Sequence, residues 1–102
     1  EQENSLQHIA LNFLKQHGYD QYFIHGIGHF IGLDVHDAGS RNAQLEAGDV
    51  ITIEPGIYIP QESIGIRIED NYWIVDDEQA VCLSEDIPKQ ISEIEEMMQQ
   101  NL

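Results

Sequence analysis

Residues 25–37 constrain the fold more than any other stretch, because histidine alternates there with glycine. Three of the five histidines fall in this stretch, with three glycines between them: His25, Gly26, Gly28, His29, Gly32 and His36. Glycine lets other groups approach the backbone closely, and imidazole is a common metal ligand and proton carrier. Glycines at this density also argue against a helix. The stretch therefore predicts a loop or a broken strand that forms a metal site or a polar catalytic pocket.

Two later segments each end an apolar run with a glutamate. Residues 50–53 precede Glu54, and residues 64–68 precede Glu69. A carboxylate beside a buried strand is costly to desolvate unless a cation or hydrogen bonds receive it. The short turn between the two strands predicts an antiparallel pair that places Glu54 and Glu69 side by side. With the histidines nearby, this pattern predicts a cation bound by one histidine and two glutamates.

Several neighbouring residues admit two interpretations. His29 taken alone fits either a metal ligand or a core histidine, and the two glutamates favour the metal. Arg67 lies two residues before Glu69 and hence on the same strand face, where it either orients Glu69 through an ion pair or forms an exposed salt bridge. Asp34 and Asp37 are interpreted as hydrogen-bond partners of the histidines, with turn formation or metal ligation as the alternatives.

The composition excludes several classes of function. The 102 residues carry a formal net charge of −15, which repels nucleic-acid phosphates and anionic membranes. No apolar run approaches the roughly 18–20 residues of a membrane span, and no signal peptide is visible, so we expect a cytoplasmic protein. We expect neither a nucleic-acid nor a membrane partner. The single cysteine, Cys82, lies in an apolar run and is interpreted as a buried thiol.

The remaining pattern predicts an α+β fold in one segment, residues 1–102. Apolar residues from Leu6 to Leu14 recur at helical spacing and are followed by Gly18, which is typical of a helix end. Pro88 near a first helical turn predicts a second helix over residues 87–100. The segments between them are rich in β-branched residues, and a strand over 29–35 is expected to be broken by Gly32. We therefore expect a curved antiparallel sheet with a helix at each end.

Three motifs together resemble a known family. The run from His25 to Asp37, the motif Thr52-Ile-Glu54-Pro-Gly and the motif Gly65-Ile-Arg-Ile-Glu69-Asp70 resemble the C-terminal part of the proline-directed pita-bread metallopeptidases, aminopeptidase P and prolidase. The motifs occur in the family's order, and the segment after Pro88 resembles the family's closing helix. The resemblance implies half of a pita-bread sheet, with an exposed edge and an apolar face where the other half belongs.

The resemblance also implies roles for individual residues. His29 and Glu54 would bind metal, and Glu69 would bridge two divalent ions, usually manganese in this subfamily. His25 and His36 match histidines that contact the substrate and stabilise the tetrahedral intermediate, so with Glu54, which would assist proton transfer, they form the expected catalytic set. Arg67 matches an arginine beside the bridging glutamate. The implied substrate is a peptide with proline at its second position.

Two features separate the branches of this family. The pair His25 and His29 favours the proline-directed enzymes over methionine aminopeptidase, in which the metal-binding histidine has no partner four residues earlier. The short connection between Tyr58 and Gly65 favours aminopeptidase P, and prolidase remains the alternative. A non-catalytic pita-bread binding module is a second alternative, although such a module has no reason to retain all three metal ligands. A small acidic metal-binding or structural protein is a third.

The family's site also needs two aspartates and a further histidine from an upstream strand pair, and nothing before His25 resembles them. We therefore expect this chain to be the C-terminal half of a catalytic domain whose N-terminal half is its missing partner. Alone, it should bind metal weakly or not at all and should be inactive. The sequence leaves open whether the chain forms a homo-oligomer.

Overall fold

The computed structural model describes residues 5–39 and 44–100 and has an α+β fold. Two helices flank five strands, with short 3₁₀ turns at Asp20–Tyr22 and Pro60–Glu62. The elements in chain order are α1 (Leu6–Gln16), β1 (Val50–Ile53), β2 (Gly56–Ile59), β3 (Ile64–Arg67), β4 (Asp70–Ile74), β5 (Ala80–Cys82) and α2 (Ile91–Gln100). All strand pairs are antiparallel, in the orders β1-β4-β5 and β2-β3. The predicted fold class is confirmed.

Helix α1 begins and ends at local signals in the sequence. The Ser5 side chain caps the first turn by accepting a hydrogen bond from the His8 backbone N–H at 3.0 Å. At the other end Gly18 adopts a positive φ of 80° and donates to the Lys15 carbonyl, while Tyr19 donates to the Leu14 carbonyl. This pair of bonds is the Schellman motif, which requires a left-handed residue that glycine supplies without strain.

Strands β1 to β4 form one long antiparallel ribbon with a constant register. Ile53 lies opposite Asp70 in the β1-β4 ladder, and Gly56 lies opposite Arg67 in the β2-β3 ladder. The interruption between the two ladders falls at Pro55, whose nitrogen has no hydrogen to donate, although its carbonyl accepts from Ile68 N–H at 3.4 Å. Because the two ladders share one register, the strands remain aligned across the interruption at Pro55.

The segment before β1 follows that strand without becoming a strand itself. Thr52 N–H donates to the His29 carbonyl at 2.9 Å, and Glu54 N–H donates to the Ile27 carbonyl at 2.7 Å. The reciprocal donors of the segment bind side chains: Ile27 N–H donates to Gln7 Oε1 and His29 N–H donates to Thr52 Oγ1. The predicted strand over 29–35 is therefore wrong. The structure has a single bridge in this stretch, between Phe30 and Ile51.

The contacts of Lys89 explain why the closing helix begins later than the sequence predicts. The Lys89 ammonium donates to the carbonyl oxygens of Ser84, at 3.1 Å, and of Ile87, at 2.8 Å. It also pairs with Asp70 Oδ1 at 3.1 Å. These contacts hold residues 84–89 as a turn against β4, so helix α2 begins at Ile91 and not at residue 87.

The described chain buries few large apolar side chains. Phe23, Ile51 and Ile59 form the buried apolar core, whereas every residue of β3 is exposed. A groove of about 610 Å³ runs between α1 and the β2-β3 hairpin, with Phe13, Ile57 and Ile66 among its lining residues. Within the described residues, neither helix has the length and the apolar run that a membrane crossing requires.

The contacts of Asp70 predict a pH-dependent contribution to stability. Ser84 Oγ donates to Asp70 Oδ1 at 2.7 Å, and this bond, followed by Lys89, lowers the pKa of Asp70 below its usual 3.8 despite partial burial. A lowered carboxyl pKa stabilises the fold above the unfolded-state value, and this stabilisation is lost as the pH falls through the folded-state value. We expect Ser84→Ala to lower the free energy of unfolding by about 1–2 kcal/mol at neutral pH.

Urea denaturation at pH 7 and at about pH 3 measures this effect, because the lower pH lies below the unfolded-state pKa and toward the lowered folded-state pKa, where this stabilisation declines. The difference between the wild type and Ser84→Ala should shrink at the lower pH. Ser92→Ala, at an exposed position of α2, is the matched control. A Ser84→Ala deficit of equal size at both pH values would contradict the assignment.

Candidate metal centre

Three side chains from three separate segments converge on one point. His29, Glu54 and Glu69 each offer a ligand atom, and these atoms lie within 4.8 Å of one another. His29 comes from the segment beside β1, Glu54 follows β1, and Glu69 precedes β4. The sequence predicted this set of one histidine and two glutamates, and the structure brings the three residues together.

The ribbon register explains why the two glutamates meet. Continuing the ladder by one residue beyond Ile53 and Asp70 places Glu54 opposite Glu69. The Glu54 N–H donates away from β4, to the Ile27 carbonyl. The two glutamates therefore occupy a non-hydrogen-bonded rung, at which opposed side chains are closest in an antiparallel pair. Like charges directly opposed on such a rung destabilise a ribbon, so this arrangement favours a cation between them.

The imidazole of His29 presents a free lone pair to this point. Its Nδ1 lies 2.9 Å from the Phe30 carbonyl, and a carbonyl oxygen can only accept, so Nδ1 carries the proton. Its Nε2 lies 3.3 Å from Glu54 Oε2. In the neutral ring, Nε2 and the carboxylate oxygen are both electron-pair donors, and they repel unless a proton or a metal ion lies between them. A backbone bond at Nδ1 is also what orients many metal-binding histidines.

The Glu54 carboxylate supplies a test of whether a metal ion fits. Its side chain is only 15% exposed, and Oε2 is buried with no hydrogen-bond partner in the described residues. A buried carboxylate oxygen without a donor is costly, and a bound cation removes that cost. One imidazole nitrogen with carboxylate oxygens is a donor set that suits Mn²⁺, Zn²⁺ and similar divalent ions. The residues present therefore fit a divalent metal ion.

His25 lies outside the converging set and contacts Gly26, Tyr58 and Phe23 instead. Its Nδ1 contacts the Gly26 carbonyl at 2.9 Å, and its Nε2 contacts the Tyr58 hydroxyl at 2.8 Å. The ring also packs edge-on against Phe23, with 5.1 Å between centroids. These contacts fix both ring nitrogens and hold the imidazole among aromatic groups, beside Gly56.

The loop after His29 folds back so that His36 contacts the His29 ring. Its exposed ring lies against His29, with 4.2 Å between the ring centroids and an interplanar angle of 39°. Asp37 closes the loop instead of bonding a histidine: its Oδ1 accepts from Ala38 N–H at 2.9 Å and its backbone N–H donates to the Phe30 carbonyl. Asp34 is exposed, and its carbonyl accepts from Gly32 N–H. For both aspartates, these contacts favour the turn-forming interpretation.

Arg67 is exposed at the end of β3, opposite Gly56 in the ladder. The ion pairs found within residues 5–39 and 44–100 join His29 to Glu54 and Lys89 to Asp70. Arg67 is in neither of them. The structure therefore does not form the predicted ion pair between Arg67 and Glu69, and the two residues share only a position on neighbouring parts of the ribbon.

Two residues beside the centre were not singled out from the sequence. The sequence analysis gives neither residue a role at the centre, yet the Tyr58 hydroxyl binds His25, and the Thr52 hydroxyl binds the His29 backbone. A signal for both exists in the sequence, because Thr52, Glu54 and Tyr58 are separated by even numbers of residues. Such residues point to one face of a strand, and a carboxylate on that face marks its neighbours as candidates.

Comparison with known proteins agrees with this geometry. The family model described as Metallopeptidase family M24 matches residues 4–76. An Xaa-Pro aminopeptidase of Haemophilus influenzae is 42% identical over 97 residues, which cover 83% of this chain. A Bacillus anthracis structure assigned as an aminopeptidase P superposes with a TM-score of 0.75 at 50% identity over 83% of this chain. A Pyrococcus horikoshii prolidase gives a TM-score of 0.71 at 40% identity over 84%.

The antiparallel ribbon gathers a histidine and two opposed glutamates into a candidate metal centre. The chain belongs to metallopeptidase family M24, and its fold matches part of the pita-bread fold of these structural neighbours. It spans 22% of the Haemophilus protein and 20% and 25% of the two structures. The chain is therefore similar to a limited part of each relative.

The opposed glutamates predict a stability effect that depends on metal. Without a divalent ion, Glu54→Gln should raise the free energy of unfolding by about 0.2–1 kcal/mol, because it removes a like-charge pair from a closely spaced rung. With a divalent ion in excess, the wild type should become the more stable of the two, because the ion stabilises only the form that binds it.

Thermal denaturation with EDTA and then with MnCl₂ tests both parts. Glu69→Gln should behave as Glu54→Gln does, and Glu85→Gln, at an exposed position away from the centre, is the control. If Glu54→Gln is the less stable protein in EDTA, repulsion between the opposed carboxylates does not govern this rung.

Proposed function

We propose that this chain provides part of the dinuclear metal centre of an Xaa-Pro aminopeptidase, which hydrolyses the peptide bond between an N-terminal residue and proline. The observation that carries the proposal is the convergence of His29, Glu54 and Glu69 within 4.8 Å on an M24 chain. In this proposal His29, Glu54 and Glu69 would hold the divalent ions, which we expect to be Mn²⁺, with Glu69 as the shared ligand. When bound, two such ions would supply Lewis acidity and a nucleophile at neutral pH.

The other residues at the centre have roles that follow from their positions. Glu54, itself one of the proposed ligands, would also assist proton transfer, because its Oε2 is buried without a hydrogen-bond partner among the described residues. His36 lies against His29 on the exposed side, where it can contact the carbonyl group of a bound peptide. His25, held by Tyr58 and packed on Phe23, offers an aromatic wall suited to a proline ring. Arg67 would approach Glu69 only in the complete site.

We further propose that this chain is the C-terminal half of a larger catalytic domain located in the cytoplasm. The exposed β3 strand and the apolar groove beside α1 are surfaces that the other half would cover. That half would contribute the two aspartates and the further histidine that complete the family's site. A homo-oligomer of the complete enzyme is compatible with this arrangement.

Prolidase is the second candidate, because prolidases are among the structural neighbours at similar TM-scores. The two enzymes differ in substrate length: a prolidase cleaves Xaa-Pro dipeptides, whereas an aminopeptidase P accepts longer peptides. A non-catalytic binding module is the third. The orphaned Glu54 Oε2 favours an enzyme over such a module, because a module without metal would retain the desolvation cost of that atom without benefit.

For the chain by itself, we expect weak binding of at most one Mn²⁺ ion, because three protein ligands are too few for two ions. Calorimetric titration with MnCl₂ gives the stoichiometry and affinity, and His29→Ala should remove the binding. Tight binding of two ions would contradict the proposal that ligands from another segment are required.

A chimera tests activity directly. The aligned segment of the Haemophilus Xaa-Pro aminopeptidase is replaced by this chain, and folding is verified by circular dichroism. We expect the chimera to hydrolyse an Xaa-Pro-Xaa tripeptide faster than an Xaa-Pro dipeptide, and His29→Ala and Glu69→Ala to abolish hydrolysis while the fold is retained. Preference for the dipeptide would favour prolidase, and a folded chimera that binds peptide without cleaving it would favour the binding module.

A further inference from the structure

Thr52 has the most buried side chain in the described part of the chain, although it carries a hydroxyl group. It is 1% exposed and is the one polar residue of the buried core there. A buried hydroxyl without a hydrogen-bond partner would be destabilising, so the group that the Thr52 hydroxyl binds indicates its structural role. The partner is the backbone N–H of His29, which donates to Thr52 Oγ1 at 3.1 Å.

This bond replaces one that a regular ladder would form with the backbone. Thr52 N–H donates to the His29 carbonyl, so the two residues form a hydrogen-bonded rung, and the His29 N–H would ordinarily return to the Thr52 carbonyl. Gly28 lies against that carbonyl instead: a Cβ built on Gly28 would meet the Thr52 oxygen at 1.8 Å. Gly28 has no Cβ, so the segment can approach β1 this closely. The Thr52 hydroxyl then accepts the hydrogen bond from the His29 N–H, which has no backbone acceptor in the ladder.

The position of this bond links it to the metal ligands. His29 carries the imidazole of the candidate centre, and Glu54 lies two residues beyond Thr52, directly after β1. The two hydrogen bonds that join Thr52 and His29 hold both the backbone N–H and the backbone carbonyl of His29. The imidazole is then held by its Nδ1 contact with the Phe30 carbonyl, which leaves Nε2 directed at the glutamates.

We infer that Thr52 is a positioning residue for the metal centre: its hydroxyl holds the His29 backbone so that the imidazole meets Glu54 and Glu69. This inference rests on the proposed function, because it assumes that His29 binds metal. Thr52 itself contacts neither the metal nor the substrate in this arrangement. Removing its hydroxyl should weaken metal binding by about 10- to 100-fold, the range typical of residues that orient a ligand.

Four side chains at position 52 separate the hydroxyl from packing. Thr52→Val replaces the hydroxyl with a methyl group of similar size. Thr52→Ser and Thr52→Ala both lack the methyl group and differ from each other only in the hydroxyl, so that pair remains informative if Thr52→Val does not fold. If the hydroxyl positions His29, the wild type and Thr52→Ser should behave alike, and Thr52→Val should resemble Thr52→Ala.

The first measurement is hydrogen exchange of the His29 amide in the full chain without metal. Loss of the hydroxyl should accelerate exchange at His29 about tenfold in Thr52→Val, and in Thr52→Ala relative to Thr52→Ser. The second is the broadening of the His29 imidazole resonances during titration with MnCl₂, with His29→Ala used for assignment. The apparent affinity for Mn²⁺ should be lower in the proteins that lack the hydroxyl. It should not follow the melting temperature across the four proteins.

The outcomes distinguish this inference from the proposal beneath it. If Mn²⁺ leaves the wild-type His29 resonances unchanged both in this chain and in the chimera that supplies the remaining ligands, the metal centre is wrong and the inference fails with it. If the wild type binds and Thr52→Val binds equally well, or if affinity follows thermal stability across the four proteins, the metal centre stands and the positioning role of Thr52 is overturned.

Discussion

The constant register of the ribbon is the constraint on which the site depends. Both ladders share one alignment, so the gap between them cannot shift Glu54 away from Glu69 without moving every pair from Val50 to Ile59. A slip of one residue would also turn each strand's side chains to the opposite face. The strand pairings of both ladders therefore place the two carboxylates opposite each other. Each of these pairings stabilises the fold, whereas the carboxylates repel each other at only one pair. That distribution lets a small domain maintain a locally unfavourable arrangement.

The two glutamates could be predicted from the sequence because their juxtaposition follows from short-range features. Each ends an apolar run, and the connection from Ile59 to Ile64 is too short for anything but a hairpin. Helix α1 was equally accessible, because its cap and its terminal glycine are local signals. The start of α2 was not, since it is set by Lys89, whose partners on β4 and in the preceding turn are brought close only by the fold.

The histidine segment shows why periodicity fails at a functional site. Phe30, Ile31 and Leu33 have strand propensity, yet the donors of Ile27 and His29 bind side chains of α1 and β1. Those partners lie 20 and 23 residues away in the chain, so no local pattern reports them. The same contacts that prevent a regular strand also fix the backbone that carries the imidazole. Local and tertiary preferences conflict at the site and agree elsewhere, which is a common property of functional regions.

The exposed apolar strand and the unpartnered carboxylate both bear on our proposal that a further segment completes this domain. Glu54 Oε2 is buried without a hydrogen-bond partner in the part of the chain that the structure describes, and strand β3, exposed at every residue, carries Ile64 and Ile66. A carboxylate in this state needs a cation, and an apolar strand in this state needs a covering surface. If one further segment supplies both the remaining ligands and that cover, then metal binding and docking of the segment stabilise each other by mass action. The ribbon would then be a preformed template, and the centre would exist only in the assembled domain.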